Sequence, residues 1–108
     1  MWLNITSAKT APENSGKAVE ILDRQEARDP FVAAPGFRFL FLVESTGNPG
    51  EFLSLSFWDT EEQGQAFYNS DQYRQVLGGV AALIIAPPER RFYAVRIENQ
   101  AAVVAAVS

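Results

Sequence analysis

The sequence predicts an α+β domain: a four-stranded antiparallel sheet in β-α-β-β-α-β order, with both helices on one face. Three observations predict it. Two strand-like runs, Phe37 to Glu44 and Phe52 to Trp58, are joined by Thr46-Gly47-Asn48-Pro49-Gly50, which reads as a hairpin loop. Two stretches with the pattern of a capping box, Thr10-Ala11-Pro12-Glu13 and Thr60-Glu61-Glu62-Gln63, mark helix starts before and after that hairpin. Pro35-Gly36 makes the turn from the first helix into the first central strand.

Taken in order, Trp2 to Ala8 has the alternation of a short strand. A helix follows to about Arg28, starting at the Thr10 box or near Asn14-Ser15, with Val19 and Leu22 on one face and Glu20–Arg24 as an i,i+4 pair. Asp29-Pro30 disfavours helix at Asp29. In the first central strand Phe37, Phe39, Phe41 and Val43 alternate with Arg38, Leu40, Leu42 and Glu44. In the second, Leu53, Leu55 and Phe57 alternate with Phe52, Ser54, Ser56 and Trp58. Arg38, among apolar neighbours, needs a carboxylate or water; Glu44 or a partner-subunit carboxylate would serve. The helix after Thr60 carries the stripe Tyr73, Leu77, Val80 and Ile84, which Gly78-Gly79 should end or bend. After Pro87-Pro88, Arg91 to Ile97 forms the fourth strand. This is the ferredoxin-like arrangement, and its right-handed crossovers put both helices on one side.

With 108 residues, 47% of them hydrophobic, the chain forms one domain. We assign residues 1–97 to it and 98–108 to an Ala/Val-rich tail, frayed or docked on a partner subunit. The net charge of −4 argues against nucleic-acid binding. No cysteine and no histidine are present, which excludes thiolate chemistry and leaves only carboxylates for a metal site. With neither residue, and with no GxGxxG unit between a strand and a helix, no metal, haem, flavin or nicotinamide cofactor is expected. The N-terminus lacks the pattern of a secretion signal, and no run approaches the ~18 apolar residues of a membrane span. Cytoplasmic residence and no membrane contact are the expectation. Both central strands are apolar on both faces, so the side that the helices leave bare requires a cover. A homodimer through that side is expected.

The phrase LSFWDTEEQGQAFYNSDQYR, after a strand initiated by Pro35-Gly36-Phe37, resembles the antibiotic biosynthesis monooxygenase family of dimeric α+β barrels. The likeness runs from the first strand to Ile97. Its most specific elements are Phe57-Trp58-Asp59, Ala66-Phe67 and Ser70-Asp71-Gln72-Tyr73. The resemblance implies two sheets packed face to face across a two-fold axis, with a pocket between sheet and helices in each subunit. It also implies an activity: members include cofactor-free oxygenases that convert polyketide anthrones to quinones, and haem-degrading enzymes. The chain departs from the family where many members carry histidines, with Phe67 and Gln72 at those places and Leu77 nearest the haem ligand. Without histidine, haem degradation of that type is excluded.

A pocket is therefore expected between the sheet and the second helix. Trp58 and Ser56 would stand on the strand side, Phe67 and Tyr73 on the helix side, and Asn4 would be a polar contact. The resemblance gives Trp58 and Asn4 catalytic places and makes Ser56, Phe67 and Tyr73 substrate-binding. Bland readings stand beside these: Trp58 as a core residue, Asn4 as an edge-strand residue facing water, the serines as partners of nearby polar groups. Two functions follow. One is a cofactor-independent monooxygenase acting on a small aromatic or polyketide-like substrate with dioxygen. The other is a non-catalytic dimer that binds a small ligand or serves as an interaction module. A sealed core under Trp58 would favour the second, an open cavity with convergent polar groups the first.

Overall fold

Strands β1 (Trp2–Lys9), β2 (Phe37–Glu44), β3 (Glu51–Trp58) and β4 (Glu89–Ala94) form one sheet in the computed structural model, which describes residues 1–99. Their order is β2-β3-β1-β4 and every neighbouring pair is antiparallel, so the fold is ferredoxin-like, with an unclosed sheet. The Ala/Val-rich tail lies, from residue 100 onward, outside the described residues.

Each helical stretch is a pair of helices rather than one. The first comprises a 3-10 turn, Pro12–Asn14, then α1 (Ser15–Leu22) and α2 (Gln25–Ala33). The Thr10 capping box does not form: the Thr10 hydroxyl donates to Ala11 O, and Ala11 caps the 3-10 turn without a side chain. The helix starts instead beside Asn14-Ser15. Asp29 is helical, against the bias that a following proline imposes. Tertiary burial overrides that bias: Ala27 and Phe31, one turn apart, are both core residues, and burying Phe31 alone is worth about 2–3 kcal/mol.

The second stretch divides into α3 (Glu61–Tyr68) and α4 (Asp71–Val80). Thr60 caps α3 as predicted, its hydroxyl accepting from Gln63 N at 3.2 Å. Ser70 caps α4 in the same way, accepting from Tyr73 N at 3.3 Å. That second cap breaks the predicted single helix. Gly78-Gly79 do not end α4, which continues to Val80 before the 3-10 turn Ala81–Leu83. The fourth strand begins and ends earlier than predicted, at Glu89 and Ala94.

The central hairpin holds one correction that matters. Phe37 pairs with Trp58 but Phe39 pairs with Phe57, so Arg38 is an extra residue in β2. The irregularity turns Phe37 onto the helix side, 5.6 Å from the Trp58 ring, and leaves Phe39, Phe41 and Val43 on the bare side. Arg38 pairs with Asp59 at 3.4 Å, while Glu44 accepts from Gly50 N at 2.9 Å. Gly50 has a φ of 95°, and a Cβ there would lie 2.4 Å from Thr10 O, so only glycine fits where the hairpin meets the end of β1.

On the helix side Phe31, Trp58, Phe67, Tyr68 and Tyr73 form a continuous aromatic core. Ring centroids lie 4.6 Å apart for Phe31–Phe67 and for Tyr68–Tyr73, and 5.3 Å for Trp58–Phe67. Such pairs add about 0.5–1.5 kcal/mol each beyond area burial. The opposite side is Leu3 and Ile5 of β1, Phe39, Phe41 and Val43 of β2, and Leu53, Leu55 and Phe57 of β3, which share a face by register.

Candidate functional site

The register of the sheet places one lane of small polar side chains under the helices. Asn4 stands opposite Ser56, and Thr6 opposite Ser54. Bulky neighbours surround the lane: Leu40 and Leu42 from β2, Phe52 and Trp58 from β3. Facing it from above are the small residues Ala18 of α1 and Ala27 of α2, both buried. Small side chains on both sides leave room. An open cavity of about 550 Å3 lies there, walled by Phe31, Leu22, Val76 and Leu77 among others.

The cavity is mostly apolar, with a few polar groups reaching it. Thr6, Ser54 and Thr10 contribute hydroxyls, Tyr73 enters from α4, and Glu44, Asp23 and Arg28 contribute charge. Asp23 and Arg28 form an exposed pair at 3.7 Å, which contributes little to stability. Among the described residues there is no group of three or more carboxylates, histidines or cysteines that could hold a metal ion.

Of the five residues expected at the site, Trp58, Ser56, Phe67 and Tyr73 pack together in the core, and Asn4 stands across the sheet from Ser56. Trp58 Nε1–H donates to Ser56 Oγ at 2.9 Å, and Ser56 Oγ lies 2.6 Å from Tyr68 Oη. Trp58 packs on Phe67, and Phe67 on Tyr73 at 5.6 Å. Asn4 accepts from the Thr6 hydroxyl at 2.8 Å and donates to Arg91 O at 3.4 Å. Only Tyr73 of the five lines the cavity; Asn4, Ser56 and Trp58 are 0% exposed and form a sealed block beside it. Asn4 is not an edge residue, because β1 lies between β3 and β4 and its amide is buried on the helix side.

Sequence reading placed the pocket under the second helix alone, whereas the first helical pair supplies a third of its lining, from Ala18 to Phe31. Ala18 and Ala27 were the available signal, since small residues on helix faces opposite small strand residues mark unfilled space. Thr6 was also missed, although it shares the Asn4 face two residues on.

Electrostatics keep the tyrosines neutral. Burial pushes the Tyr68 hydroxyl well above the usual phenol range, more strongly than the Ser56 hydrogen bond and the Arg90 charge draw it down. Tyr73 is raised by burial too, with Arg90 opposing. The Arg90 guanidinium sits 4.6 Å from the Tyr68 ring centroid and 5.3 Å from that of Tyr73. Both hydroxyls are therefore hydrogen-bond donors at neutral pH.

An apolar cavity with a few polar groups at its wall has the character of a small-molecule site. The sequence profile of the antibiotic biosynthesis monooxygenases matches residues 1–78. No curated protein matches the chain. Solved structures share the fold at low identity. A Bordetella bronchiseptica protein assigned by name to the antibiotic biosynthesis monooxygenases superposes with a TM-score of 0.79 at 18% identity, over 89% of this chain and 97% of that one. A monooxygenase from the gene ActVA-Orf6 of Streptomyces coelicolor, in complex with the ligand nanaomycin D, gives 0.78 at 16% identity, over 93% and 91%. Rv0793 from Mycobacterium tuberculosis gives 0.71 at 20% identity, over 92% and 98%.

Proposed function

The chain belongs to the antibiotic biosynthesis monooxygenase family, and from that premise we propose a cofactor-independent monooxygenase acting on a small aromatic or polyketide-like substrate. The observation that carries the proposal is the open apolar cavity of about 550 Å3 beside a hydrogen-bonded aromatic block. The comparison structure that holds nanaomycin D supports the substrate class by analogy of fold alone.

An anthrone shows how such a reaction balances. Loss of a proton from its methylene carbon to a base, for which the cavity offers the Glu44 carboxylate, gives a carbanion stabilised by the rings; that proton and the second methylene hydrogen end in the water formed. That carbanion delivers electrons to dioxygen, one oxygen atom becomes the new carbonyl, and the other leaves as water. The methylene carbon loses four electrons and dioxygen gains four, so no external reductant is needed. The protein's contribution is to hold the substrate flat, exclude water and supply hydrogen bonds. In this reading Tyr73 touches the substrate. Asn4, Ser56, Trp58 and Phe67 act through their neighbours: Asn4 sets the Thr6 hydroxyl, while Trp58 and Ser56 set Tyr68. Phe67 holds the ring stack.

The proposal extends to assembly and place. The bare sheet face closes against a second copy, making a homodimer that works in the cytoplasm.

A second reading, a non-catalytic dimer binding a small aromatic ligand, is favoured by the complete burial of Trp58, Ser56 and Asn4, which keeps three of the five expected site residues from any ligand. Oxygen uptake separates the two. The monooxygenase consumes one dioxygen per anthrone converted to quinone, and Leu77→Trp, which fills the cavity from α4, abolishes uptake with the fold intact by circular dichroism. Saturable ligand binding without uptake for any anthrone or hydroquinone would establish the binding protein instead.

A further inference from the structure

Thr6 and Ser54 stand directly opposite each other on β1 and β3 and both line the cavity, but their hydroxyls are not equivalent. The Thr6 proton is committed: Oγ1 donates to Asn4 Oδ1 at 2.8 Å, and Asn4 is held in that orientation by its amide N–H donating to Arg91 O. Towards the cavity, Thr6 can therefore offer only a lone pair.

Ser54 is the contrast. It is half-buried on the cavity floor, and among the described residues its hydroxyl makes no hydrogen bond. It can turn to donate. Directly opposed side chains in an antiparallel pair have Cβ atoms about 4.5–5.5 Å apart, so one ligand atom can lie within reach of both oxygens.

We propose that the Thr6–Ser54 pair is a recognition site for a hydroxyl group on the ligand ring, the ligand donating to Thr6 Oγ1 and accepting from Ser54. This rests on the cavity being the binding site, and it narrows the substrate class to phenols and enols. A ketone oxygen could take the Ser54 proton but would set its lone pairs against those of Thr6. An aryl methyl ether has no proton to give. Either leaves a buried acceptor unmatched, which is the costly side of hydrogen-bond discrimination. Asn4 becomes a positioning residue in this scheme: it fixes the polarity of Thr6 without touching the ligand.

The test is calorimetric titration of the full chain with a naphthol, its methyl ether and unsubstituted naphthalene, in the absence of any turnover assay. Naphthol should bind about tenfold more tightly than the ether, the worth of one or two neutral hydrogen bonds. In Thr6→Val, which removes the acceptor, that gap should shrink to about twofold with the naphthalene affinity unchanged, whereas Ser54→Ala, which removes the donor, should weaken naphthol and ether alike relative to naphthalene. Thr6→Ser should keep the gap. Equal affinities for naphthol and ether in the wild type, or a gap that survives Thr6→Val, would overturn the recognition site while leaving the cavity as a binding site. Failure of all three compounds to bind would overturn the cavity reading and this inference with it.

Discussion

Replacing Trp58 by alanine empties the centre of the aromatic core, where the indole is 0% exposed and packs on Phe37 and Phe67. A loss of about 3–5 kcal/mol in urea unfolding is expected, whereas Trp58→Phe should lose far less because Ser56 keeps Tyr68 as its partner. A loss below about 1 kcal/mol in Trp58→Ala would contradict the packing described. Tyr68 gives a second expectation at this scale. Its folded-state pKa is raised by burial, so folded and unfolded chains bind the same protons below about pH 10 and differ above it. Between there and the folded pKa the unfolded state has released the proton and the folded state has not. Stability is thus full below about pH 10 and falls as pH rises, by up to about 1.4 kcal/mol per pH unit for this group. Tyr68→Phe should flatten that alkaline loss, measured as urea midpoints from pH 8 to 11. The five candidate residues stood out by type: Asn4, Ser56 and Trp58 because small polar and aromatic side chains recur along β1 and β3, Phe67 and Tyr73 because aromatics cluster after Phe57. Their partnerships did not. Which face Asn4 occupies depends on register, and that β1 is central depends on long-range pairing with β3 and β4, which no local pattern encodes.

At the scale of elements, α3 comes unusually close to the sheet. A Cβ on Gly64 would lie 2.9 Å from the Phe92 ring and 3.1 Å from the Trp58 indole. Gly64→Ala would gain about 1 kcal/mol of helix propensity in an exposed helix, but here overpacking of about 1–3 kcal/mol should win. A net loss of stability by urea unfolding is the expected outcome, and a net gain would show that α3 can lift away. Ser70→Ala should cost about 0.5–2 kcal/mol through the cap of α4, read from the same unfolding curves. Most elements could be read from sequence because their signals are local: the Thr60 cap, the 46–50 loop, the strand alternation. The misreadings share one cause. Asp29 stays helical because Phe31 is buried, and the alternation of β2 breaks at Arg38 because Phe37 joins the core beside Trp58. In both places tertiary packing outweighed a local preference of about 1 kcal/mol, and nothing in the neighbouring residues announces it.

For the whole molecule, the extra residue at Arg38 has a consequence for assembly. By sending Phe37 inward it leaves Phe39, Phe41, Val43 and Leu53 as a contiguous apolar group, 51%, 56%, 44% and 42% exposed. Scattered apolar residues on a surface need no explanation, but a row across two adjacent strands, continued by Leu3 and Ile5 on β1, makes a patch of several hundred Å2. At about 25 cal/mol per Å2, covering such a patch on two copies stabilises association by on the order of 10 kcal/mol before the comparable cost of lost rotational and translational freedom. Sedimentation should therefore find a dimer at low micromolar concentration. Phe41→Glu, which places a charge in the middle of the patch, should give a folded monomer. Val32→Glu, on α2 and 71% exposed, is the matched control and should leave the dimer unchanged. A wild-type monomer at that concentration would sink the proposed assembly. The cavity is built from side chains of a single chain, so the Phe41→Glu monomer should still bind a naphthol. Loss of binding in that monomer would show that the partner copy shapes the pocket, through the β2 and β3 strands whose opposite faces the cavity and the patch share.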